Sequence, residues 1–170
     1  MGYVHNTGMK QFVPPTIMFG KTATWVVADG AVAGTLAYHA DATDESADCI
    51  IPIPLPSNKG AQVGAYLKAI DIDFEILIAA CDAVSAVINK VTRGADGAVA
   101  VVASQAFSYD TGHDTAAERL TLDQHRMTLT LTTPIWLDED EYIYVVLTFD
   151  KAATTTIDVL AAVADFTLRV

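Results

Sequence analysis

Residues 68 to 76, KAIDIDFEI, alternate without a break. Ile70, Ile72, Phe74 and Ile76 share one parity, and Asp71, Asp73 and Glu75 share the other. A helix would scatter these apolar residues around its axis. A strand lines them along one face and turns the carboxylates to water. RMTLTLTT repeats the device, with Met127, Leu129 and Leu131 inward and Thr128, Thr130 and Thr132 outward. After the acidic turn DEDE (138 to 141), YIYVVLTF (142 to 149) is a run of strong β-formers. KAATTT is a turn, and IDVLAAVADFTLRV continues as one long strand or two short ones.

The first half follows the same grammar. KTATWVVA predicts a strand closed by a hairpin-type turn at Asp29–Gly30, and GTLAYHA its return. DATDESAD (41 to 48) is a polar loop. CIIPIPLP is extended, but Pro52, Pro54 and Pro56 cannot donate to a ladder, so an edge strand or a surface arm is expected. SNKG then turns the chain into the strand around Ile72. CDAVSAVINKV admits a helix, because Val84, Val87, Ile88 and Val91 have helical spacing. A strand pair around the Gly94 to Gly97 turn is preferred, since AVAVVA is rich in β-formers. TAAERL reads as one helical turn, with Thr115 as N-cap and Glu118 at the capping-box position.

These elements sum to eight to ten strands with no long helix. That predicts an all-β protein, a jelly-roll-like antiparallel β-sandwich. Residues 1–170 form one domain, with residues 1–20 as an N-terminal arm. An immunoglobulin-like sandwich fits less well. It lacks the Cys…Trp…Cys order, because Trp25 and Trp136 both lie outside the Cys49–Cys81 interval.

Composition sharpens the picture. Apolar residues make up 52% of the chain and charged residues 18%. Such apolar content needs burial, in a core or between subunits. No run reaches the ~18 apolar residues of a membrane helix, so no membrane partner is expected. A net charge of −11 repels phosphate backbones and argues against nucleic acid. MGYVHNTGMKQFVPP has no basic n-region or apolar h-region, so a secretion signal is not expected. Cys49 and Cys81 have no CxxC or Cys/His context and read as buried thiols.

Candidate chemistry concentrates in GHDTAAERLTLDQH, residues 112 to 125. Asp110, His113, Asp123 and His125 form a metal site only if this loop folds back. The zinc spacings are absent, so a solvated connecting loop is the preferred reading. Two acidic clusters offer oxygen ligands. One is Asp138, Glu139, Asp140 and Glu141, and the other is Asp41, Asp44, Glu45 and Asp48. Neither has the EF-hand pattern, and a charge run at a hairpin tip is ordinarily a solvated tip. GxSxG, P-loop and GxGxxG motifs are missing. Carbohydrate sites usually expose aromatics. Here Phe74, Tyr142, Tyr144, Phe149 and Phe166 sit inside strand patterns and read as core or sheet. No catalytic residue, enzymatic activity or cofactor is therefore expected. If a cation binds, ligand chemistry names calcium at Asp138, Glu139, Asp140 and Glu141, or a transition metal at His113, Asp123 and His125.

The C-terminal half, YDTGHDTAAERLTLDQHRMTLTLTTPIWLDEDEYIYVVLTFDKAATTTIDVLAAVADFTLRV, resembles a known class. It is similar to the small single jelly-roll structural proteins of tailed bacteriophages and environmental viruses, which decorate or cement capsids or form fibres. The likeness lies in Ala/Thr/Val-rich strands and acidic turns over roughly residues 60 to 170. It transfers no functional residue. It implies a virion protein that self-associates, as a homotrimer, and attaches to a major capsid protein or another virion component. The other reading is a carbohydrate- or receptor-binding β-sandwich module using the loops Asp41 to Asp48 and Tyr109 to Asp114. A third is a cupin-like enzyme built on His113 and His125.

Overall fold

The computed structural model describes residues 5–30, 34–56, 64–98 and 100–169. The expected SNKG turn lies outside them. The strands are β1 (Asn6–Val13), β2 (Phe19–Gly20), β3 (Trp25–Asp29), β4 (Leu36–Ala40), β5 (Glu45–Ile53), β6 (Gly64–Leu77), β7 (Ala83–Thr92), β8 (Val101–Gln105), β9 (Phe107–Tyr109), β10 (Gln124–Trp136), β11 (Glu141–Lys151) and β12 (Thr156–Arg169). One helical turn, α1 (Ala116–Arg119), precedes β10.

Two antiparallel sheets result. The first runs β3-β4-β12-β6-β10-β9, with β1 also paired to β12; the second runs β2-β5-β11-β7-β8. Removing the short edge strands leaves β4-β12-β6-β10 facing β5-β11-β7-β8. The chain alternates between these two layers, and the order is that of the jelly roll's interlocked Greek keys. The additional strands β1, β2, β3 and β9 raise the number above the expected eight to ten.

The alternation read from sequence builds the core. Ile70, Ile72, Phe74 and Ile76 of β6 are fully buried, as are Val145, Leu147 and Phe149 of β11. Each such side chain contributes roughly 1.5–3 kcal/mol by leaving water. On the outer face Asp71 and Asp73 take partners from β10: Thr128 Oγ1 donates to Asp71 at 2.8 Å, and Arg126 Nε to Asp73 at 2.7 Å. β7 and β8 pair as the preferred strand reading expects. The helical spacing of Val84, Val87, Ile88 and Val91 is incidental, because Val84, Ala86 and Ile88 face the core while Val87 faces out.

β5 explains its own prolines. Among the described residues, its outer edge is paired where Phe19 and Gly20 of β2 meet Ile50 and Cys49. From Ile51 onward no strand of the described residues lies beside that edge, so Pro52 removes no ladder bond there. Within the expected N-terminal arm, Asn6–Val13 is laid along β12 as β1, from Asn6↔Arg169 to Val13↔Ala162.

Candidate functional site

One defect in the first sheet makes a concavity on its outer face. β10 pairs with β6 in register from Gln124↔Glu75 to Thr130↔Ala69, and resumes only at Ile135↔Leu67. Residues 131 to 134 of β10 thus oppose a single residue, Lys68. On the other side of β6, β12 slips at the same place, from Asp165↔Ala69 to Phe166↔Leu67. The local cause is Thr132-Thr133-Pro134: proline has no N–H for the ladder, and the strand bows out to pass it.

The bow leaves an open groove of about 750 Å³ on the outer face. Tyr66, Lys68, Thr133, Thr167, Arg169 and Asn6 line it. Register explains the convergence. Gly8, Thr167, Tyr66 and Trp136 lie side by side across four strands. The Tyr66 and Trp136 rings pack at 4.4 Å with a 53° tilt, so each fixes the other. Both are half-buried. A Cβ at Gly8 would meet nothing within 4 Å, so that side of the groove stays open.

The groove's charge is opposite to the molecule's. The chain carries 21 carboxylates against 10 lysines and arginines. Among the described residues, no carboxylate lines the groove and two cations do. Elsewhere five cations are ion-paired: Lys10 with Asp71, Lys21 with Asp48, Lys90 with Glu141, Arg126 with Asp73 and Lys151 with Glu45, whereas Arg93 and Arg119 have no ion pair among the described residues. Lys68 and Arg169 form no ion pair among the described residues. The Nε of Arg169 is buried there without a hydrogen-bond partner.

The histidine loop folds back and brings together three of the four residues considered, Asp110, His113 and His125. Asp110 and His113 meet at 2.9 Å, His113 Nε2 and His125 Nδ1 at 3.2 Å, and His125 Nε2 reaches the Thr121 carbonyl at 2.9 Å. Asp123 stays outside, its Oδ1 accepting from the Gln124 N–H. The end groups, a carboxylate and a carbonyl, can only accept. His113 Nδ1 and His125 Nε2 therefore donate, and the central contact needs a third proton. His125 is buried and stacks on Phe74 at 4.7 Å. Burial opposes charge on Asp110, but the Thr128 N–H, His113 and the Gly112 N–H outweigh it and hold the carboxyl below its usual range. All four ring nitrogens are spent in this chain, which ties the loop to β10. Among the described residues, no three His, Cys, Asp or Glu side chains are placed to hold a metal ion.

Both acidic clusters already face a lysine. In the 138–141 tip, Glu141 turns inward and accepts from Lys90 Nζ at 2.6 Å and Thr92 Oγ1 at 3.0 Å. Of the expected 41–48 loop, residues 45–48 instead open β5; beneath residues 41–44 Lys151 is fully buried and donates to the Asp41 carbonyl at 2.5 Å. That burial lowers the Lys151 pKa. One carboxylate of each cluster, Glu141 and Glu45, thus faces a lysine that the fold supplies. The Tyr109 ring, expected near a binding loop, is covered by the Arg119 guanidinium at 4.1 Å. α1 is capped as its sequence predicts, with Thr115 and Glu118 exchanging hydrogen bonds.

No family model matches this chain, and no curated protein does. Among solved structures it is similar to a carbohydrate-binding module, CBM32-1 from a family 31 glycoside hydrolase of Clostridium perfringens. The identity is 15% and the TM-score 0.38, over 86% of this chain and 96% of that one. An overlay this loose says nothing of what this chain binds.

Sequence reasoning looked for binding at the loops and missed the sheet face. The available signal was the break in alternation at Thr132-Thr133-Pro134, two residues before Trp136. Tyr66 joins Trp136 only through strand register, across a separation of 70 positions that no local pattern records.

Proposed function

We propose that this chain is a non-enzymatic recognition module, a jelly-roll sandwich that binds carbohydrate in the groove beside Tyr66 and Trp136. The observation that carries the reading is the Tyr66 ring, held from behind the lining by Trp136, set among Thr133, Thr167, Asn6, Lys68 and Arg169 in one open concavity. A sugar ring has an apolar C–H face and a rim of hydroxyls. An aromatic ring takes the first, and converging polar side chains take the second. Hydrolysis of a glycosidic bond needs two carboxylates flanking it, and the described lining holds none. The test is calorimetric titration with a panel of neutral and acidic oligosaccharides. Saturable binding is expected for the wild type and its loss for Tyr66→Ala. Absence of binding across the panel would contradict the reading.

A second reading, the self-associating virion subunit, has its own observation. The free edges of both sheets are apolar. β8 exposes Val101 at 65% and Val102 at 55%, and β3 exposes Val26 at 46% and Val27 at 48%. An unpaired apolar edge is a template for another chain. Under this reading the subunit forms a trimer that attaches to a capsid or appendage. Light scattering across a dilution series tests it. A trimer or larger particle that persists supports it, and a monomer throughout removes it.

A further inference from the structure

We infer that the groove selects an acidic sugar, one bearing a carboxylate such as a uronic acid, over its neutral counterpart. The inference rests on the carbohydrate reading and adds the ligand's charge. Three observations carry it. First, the lining is purely cationic in a strongly anionic protein: Lys68 and Arg169 line it, and no Asp or Glu does among the described residues. Random placement would favour carboxylates about two to one. Second, among the described residues these two cations stand without ion-pair partners, as do Arg93 and Arg119 outside the groove's lining, while Lys10, Lys21, Lys90, Arg126 and Lys151 are each paired. Third, Arg169 Nε is buried with no acceptor among the described residues. A buried donor left unmade costs free energy that an incoming acceptor recovers.

The geometry assigns complementary roles. Tyr66, held by Trp136, takes the sugar's C–H face. Thr133, Thr167 and Asn6 meet its hydroxyls. Arg169 offers a forked donor to the carboxylate, and Lys68, opposite the bow of β10, adds a point charge. A single carboxylate suits two cations. A polyanion such as single-stranded nucleic acid needs a basic track along its backbone, and the −11 charge of the whole chain opposes it.

The experiment is calorimetric titration of the full chain with a glucuronate-containing disaccharide and with its neutral glucose counterpart, at about 0.02 M and about 0.5 M salt. The acidic ligand is expected to bind about tenfold more tightly at low salt, with the gap shrinking at high salt. In Lys68→Gln and Arg169→Gln the acid-to-neutral ratio should fall toward one. Lys68 is exposed, so its variant remains informative if Arg169→Gln lowers the urea midpoint. Equal affinity for both disaccharides overturns the charge assignment and leaves the carbohydrate reading standing. Binding of neither overturns both. Tighter binding of a single-stranded oligonucleotide than of the acidic disaccharide overturns the assignment in favour of a phosphate ligand.

Discussion

At the scale of single residues, the two shifted carboxylates predict how acid unfolds the protein. Burial by itself would raise Asp110 and Glu141. Hydrogen bonds from the Thr128 N–H, His113 and the Gly112 N–H reverse that for Asp110, as do those from Lys90, the Asp138 N–H and Thr92 for Glu141. Both are therefore held below their unfolded values. As pH falls, the unfolded chain takes up these protons first, so their stabilisation is complete near neutral pH and is lost progressively below about pH 4. Urea midpoints measured from pH 7 to pH 3 should fall at the acid end. Asp110→Asn and Glu141→Gln should lower the midpoint at pH 7 and flatten its decline in acid. A wild-type midpoint that does not move between pH 5 and pH 3 would contradict this. The buried thiols give a second check. Burial raises the Cys49 thiol strongly. Burial, with Asp82 nearby, pushes Cys81 to about 12. Both should resist a thiol reagent in the native protein and react once urea unfolds it. Phe74 is fully buried between His125 at 4.7 Å and Phe149 at 5.4 Å. Phe74→Ala should cost about 3–5 kcal/mol in urea denaturation. Phe74, Phe149 and Phe166 are core as read from sequence, whereas Tyr142 stands on the outer face, about half exposed. Parity alone assigns Tyr142 to the face opposite Ile143, and the aromatic character of the run concealed it.

At the scale of elements, period-2 patterns were reliable wherever one sheet face is buried, because a slip of one residue would expose the whole apolar set. That is why β6, β10 and β11 were legible. The 79–107 stretch was ambiguous since Ala and Val serve either structure, and pairing of β7 with β11 over ten positions decides it. α1 was legible because its capping box is local chemistry. Thr115→Ala removes the side chain that accepts from the Glu118 N–H and should cost about 1 kcal/mol, seen as a drop of a few degrees in Tm. The groove was not legible for the converse reason. It depends on β10 and β12 both slipping against β6 at Lys68, a coincidence of three strands distant in sequence. Proline signalled that β10 would be interrupted and could not say what would face the interruption.

At the scale of the molecule, the jelly roll follows from an alternating chain that passes from one sheet to the other at nearly every turn. The fold places rigid strands, not loops, beneath the groove, and a site on strands keeps its side chains in fixed positions before a ligand arrives. It also leaves β3 and β8 as apolar edges. Replacing Val101 and Val102 with lysine should shift any assembly toward monomer in light scattering without lowering the urea midpoint, since both side chains are exposed. The carbohydrate reading stands on the other side of the sandwich from β8. The most direct test of it is a map of backbone amide shifts in a ¹⁵N-labelled sample titrated with an oligosaccharide that binds. Saturable shifts centred on Tyr66, Lys68, Thr133, Trp136 and Thr167 are predicted. Shifts centred on Phe19, Ile50 and Tyr142 of the other sheet, or no saturable shifts, would contradict the account.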